Sequence, residues 1–341
     1  MNYYIFSIGV IILSLVSYDL ISTALSVRGA GFISKRLSKI IWKTLLKINH
    51  NTGSSKVLEF SGAFILVAIV FNWLLFIWLS ASLLFISDTN SLVNVETNTP
   101  TDIVSKIFYS GYTLSTLGLG DIEPYGQFWE VLTAVLSFTG LILISIAITF
   151  LIPVVSAEIE KRKLSVYITT MGCSVEEILL NHYSGRDFKA LKDRFLPLTD
   201  LIISHAQNHK AYSVLHYFHS SDKKEAFVLN LTNLDEALTI IMYFIPEEMR
   251  PEKTVMIGLR KAITNYLMTL PEVFIKPSKD TPPIPLLNDL KESEIPLIDK
   301  EVREGYDNLS YRRRLLLALV NDDGWNWDDA DAGAYSDNLP H

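Results

Sequence analysis

A short segment containing two glycines lies between two long apolar stretches of this 341-residue chain. The segment reads TLSTLGLGD over residues 113–121, and the apolar stretches cover residues 60–86 and 128–156. Glycine has no Cβ and adopts positive φ values at little cost, so successive carbonyls of such a segment can turn toward a common axis. Non-helical backbone at membrane depth is tolerated only where it lines a cavity or is buried in protein. The pattern therefore predicts a re-entrant segment between two membrane helices.

Three apolar stretches before residue 157 are long enough to cross a membrane. Residues 60–86 carry no charged side chain, residues 128–155 carry Glu130 near their start, and residues 3–27 carry Asp19 in their second half. At about 1.5 Å per helical residue, each stretch spans a hydrocarbon core of about 30 Å. Residues 3–27 lack the basic start of a signal peptide, which favours an uncleaved helix, although Ala24-Leu-Ser26 leaves cleavage as the alternative.

Asp19 and the basic segment that follows it each allow two interpretations. A charge within a membrane span indicates a functional site by default, and the alternative is an acid near the cytoplasmic interface, partnered by Thr23 or Arg28. Residues 33–48 alternate apolar and basic side chains at helical spacing. This amphipathic helix is suited either to lie on the inner leaflet or to dock against the soluble part of the chain.

The loops differ in charge. Residues 28–56 are rich in Lys and Arg and include no acidic residue before position 59, and Lys161, Arg162 and Lys163 follow the last span. The loop 87–101 carries Asp88 and Glu96 and no Lys or Arg. By the positive-inside rule, residues 28–56 and everything after residue 161 are cytoplasmic, and the N-terminus lies outside. We therefore expect a multi-pass protein of the cell membrane, with the glycine-containing segment entered from the outer face.

The order outer helix, pore helix, Thr-x-Gly-x-Gly-Asp and inner helix resembles the pore module of potassium channels. The resemblance runs from residue 107 to residue 149, and it is to the bacterial-like type with two transmembrane helices and a pore loop, here with an extra N-terminal helix. Pro100 and Thr101-Asp102 predict the start of the pore helix, because Thr and Asp cap helix N-termini. In the family, a ring of backbone carbonyls replaces the water shell of a permeating K⁺ ion.

The resemblance assigns roles to residues of this sequence. The positions that bind K⁺ are Thr116, Leu117, Gly118, Leu119 and Gly120. The residues that support this filter are Phe108, Tyr109, Tyr112, Ser115 and Asp121. Gly140 corresponds to the gating hinge of the inner helix, and Ile144, Ile148 and Ile152 correspond to residues that line the cavity. No other metal or cofactor is expected.

The chain departs from the family pattern at three of these positions. Leu119 replaces the usual Tyr or Phe, Ser115 replaces the usual Thr, and Tyr112 replaces a carboxylic acid present in some members. Because Leu119 does not hydrogen-bond to the aromatic residues around the filter, the filter is expected to be less rigid. These departures leave a weakly selective cation channel as one alternative, and a membrane-anchored sensor or scaffold with a vestigial pore as another.

The predicted fold is an all-α membrane protein with a helical cytoplasmic domain. Its segments are an N-terminal transmembrane helix (1–27), a basic amphipathic helix (28–56), the pore module (57–157), the cytoplasmic domain (158–320) and an acidic tail (321–341). Within the pore module, the outer helix covers 57–87, the pore helix 102–115, the filter 116–121 and the inner helix 128–157. No Gly-x-Gly-x-x-Gly fingerprint follows a strand, so the cytoplasmic ligand stays unidentified.

Four histidines of the cytoplasmic part, His205, His209, His216 and His219, would share one face of a continuous helix. Such a set indicates either a zinc or pH-sensing site or a half-buried packing seam, and the absence of a nearby carboxylate or cysteine ligand favours the seam.

Net charge and the absence of certain motifs argue against two other classes of function, nucleic-acid binding and enzymatic catalysis. A net charge of −7 without a basic patch argues against nucleic-acid binding. We find no nucleophile–base set and no phosphate loop, so we expect no enzymatic activity. One filter segment per chain does not close a pore, which predicts a homotetramer within the lipid bilayer.

Overall fold

The computed structural model describes residues 1–26, 29–52, 56–118, 120–283, 295–298 and 309–331. Arg28, Leu119 and the end of the acidic tail from residue 332 lie outside the described residues. The chain divides into two compact units. The first consists of Met1–Lys43, Ala63–Val155 and Ala211–Val214, and the second of Thr44–Gly62, Ser156–Lys210 and Leu215–His341.

Long apolar helices form the first unit. In chain order, the helices up to residue 169 are α1 (Tyr3–Ala24), α2 (Phe32–Thr52), α3 (Lys56–Glu59), α4 (Ser61–Ile86), α5 (Ile103–Leu114) and α6 (Gln127–Thr169). Three of them, α1, α4 and α6, are long and apolar enough to cross a membrane. The predicted all-α membrane fold is therefore confirmed.

A two-stranded sheet joins α4 to α5 and the filter segment to α6. Strands β1 (Leu92–Asn94) and β2 (Ile122–Pro124) run antiparallel, with Leu92 opposite Pro124 and Asn94 opposite Ile122. The pair ties the loop before the pore helix to the residues that directly follow the filter segment.

The carboxylate of Asp19 holds the start of α2. It accepts hydrogen bonds from the backbone N–H of Ile33 (2.8 Å) and of Ser34 (3.2 Å), and from the Ser34 hydroxyl. The Trp73 indole of α4 donates to the same carboxylate at 3.0 Å. Asp19 is 2% exposed, so its charge is met by donors from two helices. Because the first N–H groups of a helix lack intrahelical partners, Asp19 acts as a cap supplied from another helix.

The structure gives Asp19 partners that the sequence did not indicate. Thr23, one of the two expected partners, instead accepts a hydrogen bond from the N–H of Gly31 at 2.9 Å, and Arg28, the other, lies outside the described residues. A side chain on Gly31 would collide with the Asp19 carboxylate, which explains the glycine.

Helix α6 is longer than the predicted inner helix. It runs for 43 residues without a break, passes through Pro153, and ends at Thr169 rather than near residue 157. Beyond the apolar part, Glu158 forms ion pairs with Lys161 (2.9 Å) and Arg162 (3.3 Å) at helical spacing. Such i,i+3 and i,i+4 pairs support continued helix in a polar segment.

The second unit is a helical domain around one buried helix. Besides the ends of α2 and α6 and the short α3, its described helices are α7 (Val175–His182), α8 (Lys192–Ala211), α9 (Phe227–Tyr243), α10 (Lys253–Val273), α11 (Ser310–Asp322) and α12 (Asp328–Asp331), with short 3₁₀ turns at Lys189–Leu191, Ser213–Tyr217 and Glu247–Met249. Ser174 caps α7, because its hydroxyl accepts from the N–H of Glu177 at 3.1 Å. Nearly all of α9 is buried, polar residues included.

Arginines from α10 and α11 neutralise two buried acids of α9. Asp235 lies 2.7 Å from Arg260 and also pairs with Arg312, and Glu236 lies 2.7 Å from Arg313. Burial raises the pKa of Asp235, but the charges of Arg260 and Arg312 outweigh it and leave the pKa below its usual value. Burial has the larger effect at Glu236 and raises its pKa. The network fixes α9, α10 and α11 to one another.

The four histidines do not share one helix. His205 and His209 lie on α8, which ends at Ala211, and His216 lies in the next 3₁₀ turn. The rings of His205 and His209 are buried among Phe227, Tyr266 and Phe274, and their nitrogens have no hydrogen-bond partner within the described part of the chain. Across the described residues, no group of three or more His, Cys, Asp or Glu side chains is placed to hold a metal. The packing-seam interpretation fits this environment.

Candidate ion pathway

The N-terminal part of the pore helix α5 is fixed by two sets of contacts. Asp102 is its N-cap and accepts from the N–H of Ser105 at 2.8 Å. Lys106, in the next turn, is 3% exposed, and its ammonium donates to the carbonyls of Asp88 (2.6 Å) and Thr89 (3.0 Å) beyond the end of α4. These contacts fix the start of α5. Its C-terminal end, which is the negative end of its dipole, falls at the filter segment.

Backbone hydrogen bonds of the three residues after α5 close its last turn. The N–H of Ser115 bonds to Gly111, that of Thr116 to Thr113 (3.1 Å) and that of Leu117 to Tyr112 (3.2 Å), which closes the last turn. Thr116 then has φ 62° and Gly118 has φ 72°. A non-glycine residue at positive φ costs about 1–3 kcal/mol, and such strain persists where the surrounding structure imposes it, often at ligand sites.

The filter segment is exposed in the single chain. Thr116, Leu117, Gly118, Gly120 and Asp121 are all exposed, and Leu117 retains 72% of its accessible surface. Apart from each glycine and its two chain neighbours, no described atom lies within 4 Å of a Cβ built at Gly118 or Gly120. Leu119 lies outside the described residues. The described residues of this segment, with positive φ at Thr116 and Gly118, therefore lie in open space in the single chain.

The aromatic residues predicted to support the filter fall into two groups. Tyr109 is buried and packs edge-on against Phe85 of α4, with ring centroids 5.3 Å apart. Phe108 and Tyr112 pack against each other at 4.6 Å, and Phe108 stays half exposed. The Ser115 hydroxyl donates to the carbonyl of Tyr112 at 2.8 Å. In the single chain, Tyr109 therefore anchors the pore helix, while Phe108 and Tyr112 lie on its exposed side.

The C-terminal end of the filter segment is fixed by the small sheet. The N–H of Val95 donates to the carbonyl of Asp121 at 3.0 Å, directly before β2 begins. The Asp121 side chain is exposed. The segment is thus tied to α5 at its N-terminal end and to β1 and β2 at its C-terminal end.

Gly140 lies where α6 passes the end of the pore helix. A Cβ at this position would overlap the carbonyl oxygen of Leu114 and lie 2.9 Å from the Leu114 Cα. A glycine inside a helix costs about 1 kcal/mol relative to alanine. The close approach of Leu114 explains why a glycine occupies position 140 despite this cost. Helix α6 continues through Gly140 without interruption. The hinge role stays a prediction, beside a packing role that sequence reasoning did not identify.

Ile144, Ile148 and Ile152 form one exposed stripe on α6, at 49%, 53% and 63% exposure. Neighbouring apolar residues such as Leu141 and Ile142 are equally exposed, so exposure in one chain does not separate a cavity face from a lipid face. Ser145 and Thr149 donate to carbonyls of their own helix at 3.0 and 2.9 Å. Their hydroxyls are therefore engaged within α6, the common role of such residues in helices.

The comparison with known families agrees with this geometry. A family model described as "Ion channel" matches residues 69–157, which include most of α4, the pore helix, the filter segment and the apolar part of α6. Residues 69–157 belong to the ion-channel family. The apolar helices of the chain and this membership show a membrane protein of the ion-channel class.

The channel also has a full-length relative. This relative is the uncharacterized membrane protein YdjJ of Bacillus subtilis (strain 168), and the two sequences are 31% identical over 333 residues. The aligned region covers 96% of this chain and 97% of YdjJ. The similarity therefore extends through the helical domain that follows the pore module. No solved structure matches the channel significantly.

Two contributors to the site were missed by sequence reasoning. Lys106 was assigned only to the pore helix, yet it ties that helix to the end of α4. Trp78 of α4 donates its indole N–H to the carbonyl of Ile107 at 3.0 Å and packs over Gly111. Both contacts join residues far apart in sequence, and no local spacing signals them.

Proposed function

We propose that the channel is a potassium-selective homotetramer. The observation that carries this proposal is the alternation of positive φ at Thr116 and Gly118, directly at the C-terminal end of the pore helix. Alternating left-handed residues turn successive carbonyls toward one side of the segment, as a ring of carbonyl ligands requires. One exposed segment supplies one wall of such a ring, and closed four-fold symmetry supplies the others.

In this tetramer, K⁺ is the permeant ion. The carbonyls of Thr116, Leu117, Gly118, Leu119 and Gly120 replace its hydration shell, and the Thr116 hydroxyl adds an innermost ligand. The negative end of the α5 dipole stabilises a cation at the inner mouth. Asp121 attracts cations to the outer end.

Gating is proposed to act through α6. The helix joins the apolar part that carries Gly140 to the domain that begins at Ser156, without a break between them. A cytoplasmic signal that moves the start of that domain is transmitted to the pore through this helix, and Gly140 is the point where the helix bends. The charge of the loops supports an orientation with the N-terminus outside and the helical domain in the cytoplasm.

A flux assay with purified protein tests the proposal. Vesicles loaded with KCl and containing the channel should take up a rubidium tracer faster than empty vesicles, and NaCl-loaded vesicles should not accumulate sodium tracer in the same way. Crosslinking in detergent should stop at four copies of the 38.5-kDa chain. A crosslinking ladder that ends at two copies would reject the tetramer.

A weakly selective cation channel is the second candidate. It is favoured by Leu119, which removes the hydrogen-bonding aromatic residue that stiffens the filter in most family members. Equal uptake of sodium and rubidium tracers would support it over selective conduction.

A further inference from the structure

The outward face of α2 has two sectors of different chemistry. Arg36, Lys39, Lys43 and Lys47 are exposed, and at about 100° per residue they fall within about 80° of one another. The adjacent sector carries Ile40 and Ile48, which are 57% and 41% exposed. Half-buried apolar residues complete that sector, namely Ile33, Leu37 and Ile41.

The opposite face of α2 is occupied by the protein itself. Ser34, Ser38 and Trp42 are buried and follow one another at intervals of four residues. The Ser38 hydroxyl donates to the carbonyl of Ser34 at 2.8 Å. The rotation of α2 about its axis is therefore set by packing, and the basic and apolar sectors point away from that contact.

The start of α2 lies beside the end of a membrane helix. Asp19 and Thr23, which hold Ile33, Ser34 and Gly31, belong to the last turns of α1. Trp73, which donates to the same carboxylate, lies within the apolar helix α4. These hydrogen bonds fix the first turn of α2 against two helices that are apolar enough to cross a membrane.

We propose that the outward face of α2 binds the bilayer surface through anionic lipid headgroups. The apolar sector inserts between the upper parts of the acyl chains, and the neighbouring cations pair with lipid phosphates. The charge is complementary, because residues 32–52 include no Asp or Glu to oppose it. The proposal depends neither on ion selectivity nor on the number of subunits, so its test needs no current.

A single label on the full-length protein tests this binding. Cys173 is the one cysteine of the sequence, so Cys173→Ser gives a background in which Ile40→Cys carries the label alone. The labelled protein is reconstituted in phosphatidylcholine vesicles with and without phosphatidylglycerol. An environment-sensitive fluorophore at residue 40 is then quenched either by spin-labelled lipid or by aqueous iodide. Ile48→Cys serves as the second position if the first variant elutes as an aggregate.

We expect strong quenching by lipid carrying the spin label near its headgroup, weak quenching by iodide, and a clear increase in lipid quenching when phosphatidylglycerol is present. Neutralising Arg36, Lys39, Lys43 and Lys47 to Gln should remove that increase. A matched variant with Lys189, Lys210, Lys253 and Lys261 changed to Gln, all exposed and all outside α2, should keep it. Raising salt to about 1 M shortens the Debye length to about 3 Å and should also reduce it.

Three results would overturn the proposal. Quenching by iodide but not by lipid would show that the face is in water. Shielding from both quenchers would show that protein, such as a second copy of the chain, covers it. Lipid quenching that is indifferent to phosphatidylglycerol and to the four substitutions would show that the cations do not contribute.

Discussion

The backbone of α6 at Gly140 lies directly against the carbonyl of Leu114, the last residue of the pore helix. We therefore predict that Gly140→Ala displaces the end of α5 and greatly reduces current, even though alanine favours a helix by about 1 kcal/mol. Single-channel recording of the reconstituted variant measures this. The matched control is Gly258→Ala in α10, where an added Cβ meets no atom within 4 Å. Normal current in Gly140→Ala would contradict the proposal that close packing of Gly140 against Leu114 is needed for conduction.

Gly118 requires a backbone conformation that alanine disfavours. Its φ is 72°, and the left-handed region costs an L-residue about 1–2 kcal/mol. Gly118→Ala should abolish tracer flux while the protein still elutes as the wild type does. Gly185→Ala is the matched control, because Gly185 has φ 79°, equally open surroundings and a position in the helical domain. Loss of flux in both variants would point to a folding defect instead.

The cap formed by Asp19 should contribute measurably to stability. Asp19→Ala leaves the N–H groups of Ile33 and Ser34 and the Trp73 indole without their acceptor, which costs about 1–3 kcal/mol for buried donors. A lower melting temperature of the full-length protein in detergent is expected. Trp73→Phe removes one donor and should lower it less. A double variant that melts no lower than Asp19→Ala would show that the two groups act together.

The buried acid Asp235 should be more costly to lose than a surface ion pair. Asp235→Asn leaves Arg260 and Arg312 as uncompensated charges, and breaking a buried pair costs about 3–5 kcal/mol. The control is Glu252→Gln, which removes the exposed pair with Lys192 and should cost less than about 1 kcal/mol. Thermal melting of the two variants compares them. Similar melting temperatures would contradict the assigned role of Asp235.

Acid should destabilise the helical domain through its buried histidines. Burial lowers the pKa of His205 to about 3 and that of His209 well below its usual value. Below pH 6.5 the folded state then binds fewer protons than the unfolded state. The free energy of unfolding is therefore greatest above pH 6.5 and decreases as the pH falls toward 3. Each histidine contributes about 2 kcal/mol of loss between pH 6.5 and 5, at 1.36 kcal/mol per pH unit.

His205→Leu should therefore flatten the dependence of the melting temperature on pH between 7 and 5. The exposed His50 provides the control, since His50→Gln should leave the slope unchanged. An unchanged slope in His205→Leu would show that this ring is hydrated or protonated in the folded protein.

The apolar helices and the pore helix were predictable because their signals are local. Hydrophobic length gave α1 and α4 to within a few residues, and Asp102 marked the start of α5 through its capping chemistry. The end of α6 was not predictable in the same way. The apolar sequence stops near residue 157. Beyond it the helix is supported by ion pairs of Glu158, which a hydropathy pattern does not reveal.

The contacts that position the site were hidden because they join distant residues. The partners of Asp19 lie 14 residues away at Ile33 and 54 residues away at Trp73. Gly140 was interpreted as a hinge from resemblance alone, since its approach to Leu114 depends on how two helices cross. The histidines appeared to share a helical face only because the end of α8 at Ala211 has no glycine or proline to mark it.

The reversal potential of the wild-type channel in a planar bilayer tests the central claim most directly. Protein that passes the flux assay is recorded with KCl on one side and NaCl at equal concentration on the other. A carbonyl filter built on Thr116 and Gly118 predicts a reversal potential far from zero, with the sign that opposes K⁺ flow out of the KCl side, because the reversal then reflects the ratio of K⁺ to Na⁺ permeability. A reversal near zero with clear current would contradict potassium selectivity and would show that the filter containing Leu119 passes both cations.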